Sequence, residues 1–242
     1  MDLRNKRALI TGSSRGIGRA VAEALARQGA RLFLTARDQS QLQDIKSELG
    51  SSGCAIDCAR ADLVDDHRVE EIFERAMSFL GGIDILVNNA GLGIRGEVVN
   101  MSLDDWDRTM AVNLRAPFLL SKLAAARMTP QKSGWIINIG SGASQTPIAG
   151  FAGYCASKYG LLGFSESLAL ELREHNIRVS IILPGTTATY FAGGDPARKI
   201  ESQPGILRPA DIADSVLYLL KQSGVAWTSV MNLRPLNPRR GA

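Results

Sequence analysis

The stretch Thr11-Gly12-Ser13-Ser14-Arg15-Gly16-Ile17-Gly18 constrains this chain more than any other. It follows a short apolar run, Lys6 to Ile10, and leads into Ile17, Val21, Ala24 and Leu25 at helical spacing. Glycines between a strand and a helix allow a tight turn and bring the backbone close to a ligand. The helix start then offers unpaired N–H groups and a positive dipole end, which suit a pyrophosphate. Gly12, Ser14, Arg15, Gly16, Ile17 and Gly18 are therefore expected to cradle a dinucleotide. The plainer alternative is an ordinary glycine-rich turn. The position between a first strand and a first helix favours the cradle.

The rest of the chain alternates in the same way. Gly29 closes the first helix, and Arg31 to Thr35 reads as a second strand. Leu42, Ile45 and Leu49 mark the next helix face, Cys54 to Ala59 a weaker strand, and Val69, Ile72, Phe73 and Ala76 a third helix ending at Gly81-Gly82. Ile83 to Val87 and Trp135 to Ile139 are apolar strands. Between them Leu103 to Met128 reads as helix interrupted at Pro117. A long helix from Tyr154 to Arg173, a strand from Arg178 to Leu183, a helix from Ala210 to Lys221 and a strand from Val230 to Leu233 complete the series. Strands apolar on both faces and separated by helices predict an α/β fold. The expected form is a doubly wound, Rossmann-type parallel sheet of about seven strands with helices on both faces. All 242 residues are expected to form one domain. Residues 1–140 would mainly bind cofactor, and residues 141–242 would carry the catalytic residues, a substrate lid and the last strand.

Composition removes other classes. Hydrophobic residues make up 45%, too many for a disordered chain, and no apolar run is long enough to span a membrane. Three cysteines without paired spacing and two histidines argue against a disulfide framework and against a metal site. The start MDLRNKRALITG enters a strand pattern at once, so a signal peptide is not expected and a cytoplasmic location is. The net charge is only +4, and the cluster Arg234, Arg239 and Arg240 reads as a solvated tail. Neither nucleic acid nor a membrane is an expected partner.

The glycine pattern is G-x-x-x-G-x-G. It is followed by Asn88-Asn89-Ala90-Gly91, Asn113, Ser141, Tyr154-x-x-x-Lys158 and Pro184-Gly185. In this order and spacing the chain resembles the short-chain dehydrogenase/reductase family, in its short, single-domain soluble branch, along nearly its whole length. The resemblance implies an oxidoreductase that interconverts a ketone or aldehyde and an alcohol by hydride transfer with a nicotinamide dinucleotide. It implies that Asp62 and Leu63 hold the adenine, with Asp62 also suited to a helix start. Asn89, Ala90 and Gly91 would pass under the cofactor ribose, although these asparagines are as apt to stitch the sheet together. Pro184, Gly185, Thr187 and Thr189 would cover the nicotinamide.

Cofactor choice turns on the end of the second strand. An acid there would bond the 2′-hydroxyl of NAD, and the resemblance aligns that acid with Ala36. Arg37 follows, and Arg15 lies in the glycine loop, so two guanidinium groups can clamp a 2′-phosphate. Asp38 is read as a helix N-cap, with Ser40 as the competing cap. NADP(H) is thus expected in preference to NAD(H), which stays possible.

Tyr154 and Lys158, four residues apart on a helix, share a face. A nearby ammonium would lower the phenol's ordinary pKa of about 10 and ready it for proton transfer. The family's further roles place Lys158 on the nicotinamide ribose, Ser141 on the substrate carbonyl, and Asn113 in a bent helix holding a water that leads to Lys158. A glycine stands where the family often has a first serine before Ser141, and Ser144 is read as loop. Leu92, Ile94, Gln145, Ile148, Phe151, Tyr190 and Phe191 could line a partly apolar substrate pocket, under a lid from Tyr190 to Gly205. The sequence after the last strand lacks the family's common Asp-Gly-Gly, which weakens the case for a 3-oxoacyl thioester reductase. The family implies a homodimer or homotetramer. The alternatives are a catalytically silent, cofactor-binding scaffold and, less favoured, a sugar-nucleotide epimerase.

Overall fold

The computed structural model describes residues 2–236; Arg239 and Arg240 of the basic cluster lie outside them. Seven strands form one parallel sheet: β1 (Arg7–Thr11), β2 (Arg31–Ala36), β3 (Ile56–Arg60), β4 (Ile85–Asn88), β5 (Gly134–Ile139), β6 (Ile177–Pro184) and β7 (Val230–Leu233). Their order is β3-β2-β1-β4-β5-β6-β7, so the winding reverses between β1 and β4. Crevices at the carboxyl ends of strands on either side of such a reversal are where ligands bind. The doubly wound fold expected from the alternation is the fold observed.

Side-chain alternation divides the core. Ala8, Ile10, Leu32 and Leu34 point to one face and pack with α1 (Gly16–Arg27), α2 (Gln39–Ser51) and α8 (Pro209–Lys221) through Val21, Leu25, Leu42, Ile45, Ile212 and Val216. Leu9, Phe33, Leu86 and Ile136 point the other way. They meet Ile72, Phe73, Leu120, Met128 and Leu168 of α3 (Asp66–Leu80), α5 (Ala116–Gln131) and α6 (Ala152–Leu172). Burial on both faces is what makes these strands read as continuous apolar runs.

Local chemistry sets the element ends. Asp65 caps α3 through the N–H groups of His67 and Arg68, and Gly81 ends it in a left-handed conformation (φ 73°). The helical stretch expected from Leu103 to Met128 is three pieces: α4 (Leu103–Met110), a π-helical turn (Ala111–Arg115) and α5. Pro117 does not break it. It sits where the π turn gives way to α5, and the irregularity lies just before it, around Asn113. The Tyr190 to Gly205 segment is also more ordered than a plain loop. It contains a 3-10 turn (Phe191–Gly193) and a short helix, α7 (Pro196–Ser202), capped by Asp195. No helix among the described residues is long and apolar enough to cross a membrane.

Candidate active site

A cleft of about 1320 Å³ runs along the carboxyl ends of the strands on both sides of the reversal. All of the site residues expected from the sequence line it except Gly18 and Asn113, which stand behind its wall. Of the expected pocket residues, Leu92, Ile148, Phe151, Tyr190 and Phe191 line it, whereas Ile94 and Gln145 do not.

The glycine loop is built for close approach. Gly12 has φ +62°, and a Cβ there would lie 2.8 Å from the Cα of Ala90. A Cβ on Gly18 would collide with the carbonyl oxygen of Gly12 and the side-chain amide of Asn89. That amide donates to the carbonyls of Thr11 (2.9 Å) and Gly12 (3.0 Å), locking the loop to the end of β4. No side chain caps α1, so its first N–H groups are left for a ligand. Bare N–H groups at a helix start over a glycine cradle fit a dinucleotide's pyrophosphate. Asn88, by contrast, stitches the sheet. Its amide donates to Ser121 and Asn138, and Asn138 donates in turn to Ser165.

At the far end of the cleft Ala36 offers no carboxylate. Asp38 is engaged as the cap of α2, accepting from the backbone of Gln41 (3.1 Å) and the hydroxyl of Ser40 (2.9 Å). These bonds hold its carboxyl below the usual range. Arg15 and Arg37 both line the cleft, and Arg15 stacks 5.0 Å from the centre of the Tyr190 ring. A third guanidinium joins them: Arg60, whose Nε donates to the Arg37 carbonyl at 3.0 Å. Arg60 was not anticipated. The signal lay in the parallel register, which pairs it with Ala36. Asp62 accepts from the N–H of Val64 (3.2 Å), closing the turn before α3.

At the other end Tyr154 and Lys158 occupy one face of α6. Tyr154 is packed between Phe151 and Phe191, with ring centroids 6.1 and 5.0 Å away. Burial pushes its phenol up to about 12, with the Ser141 hydroxyl pulling the other way. Lys158 is buried and donates to the carbonyl of Ile139 at 2.8 Å, and desolvation brings its ammonium down to about 8. The expected lowering of the tyrosine by this lysine is therefore not present. Nζ lies 5.8 Å from the ring centroid and faces a carbonyl, so desolvation dominates both groups. A phenol held protonated at neutral pH can give a proton to a ligand oxygen.

Ser141 begins a 3-10 turn at the end of β5. Its Oγ accepts from the N–H of Ala143 (3.1 Å), and its own N–H donates to the hydroxyl of Ser144 (3.3 Å). With an Oγ lone pair occupied, the hydroxyl hydrogen can be donated into the cleft. Ser144, expected as loop, is fully buried and holds this turn. Asn113 is fully buried inside the π turn. Its Oδ1 accepts from the N–H of Leu92 (2.9 Å), and Nδ2 donates to the Leu92 carbonyl (2.8 Å) and to Ser157 (3.0 Å). Both amide hydrogens are spent on the protein, and Ser157, which donates to the Tyr154 carbonyl, ties this network to α6. Cys155 is buried behind Tyr154. Thr189 accepts from the N–H of Phe191 (3.4 Å) and, through its carbonyl, from Lys199 (2.9 Å); Thr187 donates to the Gly185 carbonyl (3.0 Å).

The family model described as short chain dehydrogenase matches residues 6–199. The 2,3-dihydro-2,3-dihydroxybenzoate dehydrogenase of Bacillus subtilis (strain 168) is 34% identical over 240 residues, covering 90% of each chain. The 3-oxoacyl-acyl-carrier-protein reductase FabG of Escherichia coli (strain K12) is 38% identical over 225 residues, covering 90% of this chain and 91% of its own. A metagenomic short-chain oxidoreductase solved in complex with NADP superposes with a TM-score of 0.86 at 37% identity, over 98% of this chain and 100% of that one. With the motifs in place on the fold and the match extending over most of its length, the chain belongs to the short-chain dehydrogenase family of oxidoreductases.

Proposed function

We propose that the protein is an NADP(H)-dependent oxidoreductase interconverting a partly apolar ketone or aldehyde and its alcohol. The observation that carries this is the convergence of Ser141, Tyr154 and Lys158 at one end of a cleft whose other end gathers Arg15, Arg37 and Arg60. The glycine loop and the start of α1 would hold the pyrophosphate. Asp62 and Leu63 would hold the adenine, and Asn89, Ala90, Gly91, Pro184, Gly185, Thr187 and Thr189 the nicotinamide half. The three arginines favour a 2′-phosphate, since Ala36 has no carboxylate and Asp38 is committed to a helix cap. The bound nicotinamide supplies or accepts the hydride.

In the reductive direction Ser141 donates a hydrogen bond to the substrate carbonyl and stabilises charge that develops on its oxygen. Tyr154, protonated in its buried setting, gives that oxygen its proton. Lys158, held at the Ile139 carbonyl beside Tyr154, would bond the nicotinamide ribose. Asn113 acts by position, its π turn and its bonds to Leu92 and Ser157 fixing the wall behind Lys158. Phe151, Phe191 and Ile148 make the substrate end apolar. Residues 1–140 mainly hold cofactor in this scheme, and residues 141–242 carry the reacting groups and the lid.

Tyr154→Phe tests the assignment. Consumption of NADPH, with NADH in parallel, should be followed at 340 nm against ketones, aldehydes and 3-oxoacyl thioesters. The variant should lose about 100- to 10,000-fold in kcat and bind NADPH as the wild type does. An unchanged kcat would remove Tyr154 from the chemistry, and a clear preference for NADH would refute the arginine clamp.

A further inference from the structure

The described chain passes from β7 directly into the catalytic end of the cleft. Arg234, the first residue after β7, lines the same cleft as Ser141 and Tyr154. Its Cδ lies 3.5 Å from where a Cβ on Gly185 would sit, and its Nη1 fills the place a Cβ on Gly142 would need. The side chain therefore reaches from the end of β6 across to the residue that follows Ser141. Adjacent Cα atoms are about 3.8 Å apart, which puts the guanidinium close to the serine that would meet the carbonyl.

The charges at this end are one-sided. The two aspartates among the described lining residues, Asp38 and Asp62, belong to the opposite end, beyond β2 and β3. Lys199 also lines the catalytic end, but its Nζ is taken by the carbonyl of Thr189. Among the described residues the ion pairs leave Arg234 unmatched. A guanidinium without a carboxylate partner, beside a hydrogen-bond donor and apolar walls, suits a small molecule with an acid group at one end.

We propose that Arg234 binds a carboxylate of the substrate, so that the carbonyl compound is an oxo acid with its acid group a few bonds from the reacting carbonyl. The inference rests on the carbonyl oxidoreductase reading above and narrows its substrate class. The planar fork meets a carboxylate with two parallel bonds, and the carbonyl then falls toward Ser141 and Tyr154.

The test compares the NADPH-loaded wild type with Arg234→Gln and Arg234→Lys on oxo acids and on their methyl esters. Wild type should favour the free acid. In Arg234→Gln the ratio of kcat/KM for acid over ester should fall about 10- to 100-fold, with Arg234→Lys recovering part of it. Titration of the holoenzyme with malonate, read by NADPH fluorescence, should weaken by about the same factor in Arg234→Gln and with added salt. Equal losses on acid and ester would overturn the proposal. So would malonate binding that ignores the substitution, a stronger preference for a phosphate ester, or a loss of NADPH affinity that assigns Arg234 to the cofactor. Absence of turnover with every substrate would instead refute the oxidoreductase reading, and the malonate titration would still decide for or against Arg234.

Discussion

Tyr154 and Lys158 meet on successive turns of α6, yet burial rather than mutual attraction sets the protonation of each. The Y-x-x-x-K spacing shows that the two share a face. It carries no information on what else surrounds them, and here Phe151, Phe191 and the carbonyl of Ile139 do. The lowered lysine has a consequence for stability. The unfolded chain holds that proton more tightly than the folded one, so folding is penalised at and below about pH 8 and the penalty fades toward the ordinary lysine range. Tyr154 acts in the opposite sense, but only above about pH 10, where an unfolded tyrosine ionises. Between about pH 7.5 and pH 10 the ligand-free wild type should therefore gain about 2 kcal/mol relative to Lys158→Met in urea unfolding. A difference that stays flat with pH would show that Lys158 is not desolvated. Other residues were silent in the sequence for a related reason. Ser144, Ser157 and Arg60 gain their places from a 3-10 turn, a helix contact and a strand register, none of which is a spacing along the chain.

Elements were legible where burial is periodic. The strands stand out because both of their faces are covered, and α1 and α3 because each turns an apolar stripe to the sheet. The region from Leu103 to Gln131 was harder. A π turn has no compositional mark beyond an asparagine among apolar residues, so Pro117 drew attention one turn away from the actual irregularity. The segment from Tyr190 to Gly205 gave the same difficulty, because α7 is too short to show a stripe. The outer faces of α4, α5 and α6 carry apolar side chains that the sheet does not cover. Leu103, Trp106, Phe118, Tyr159 and Leu170 are exposed there, and Met110, Leu114, Phe118 and Phe164 line a shallow hollow. An apolar surface of this kind suits a subunit interface. Light scattering should give at least twice the mass of one chain, as a dimer or tetramer. A stable monomer at micromolar concentration would show that this face has another use.

At the scale of the whole molecule, one crevice at the sheet's point of reversal joins an end lined by Arg15, Arg37 and Arg60 to one lined by Ser141, Tyr154 and Lys158. Its position follows from strand order, which the alternation of strands and helices already implied. The chemistry at its two ends came from motifs, and the assembly of those motifs from the fold. What the sequence withheld is how the chain just after β7 turns the Arg234 side chain over Gly142, since no spacing along the chain announces that contact. Deuterium transfer tests the central claim most directly. The protein should be incubated with NADPH deuterated at the nicotinamide C4 hydride position and a panel of carbonyl compounds, and the products weighed by mass spectrometry. An alcohol carrying one deuterium on the former carbonyl carbon, formed by the wild type and lost in Tyr154→Phe, is the predicted result. Tight NADPH binding with no deuterium reaching any carbonyl would contradict it and leave a cofactor-binding scaffold.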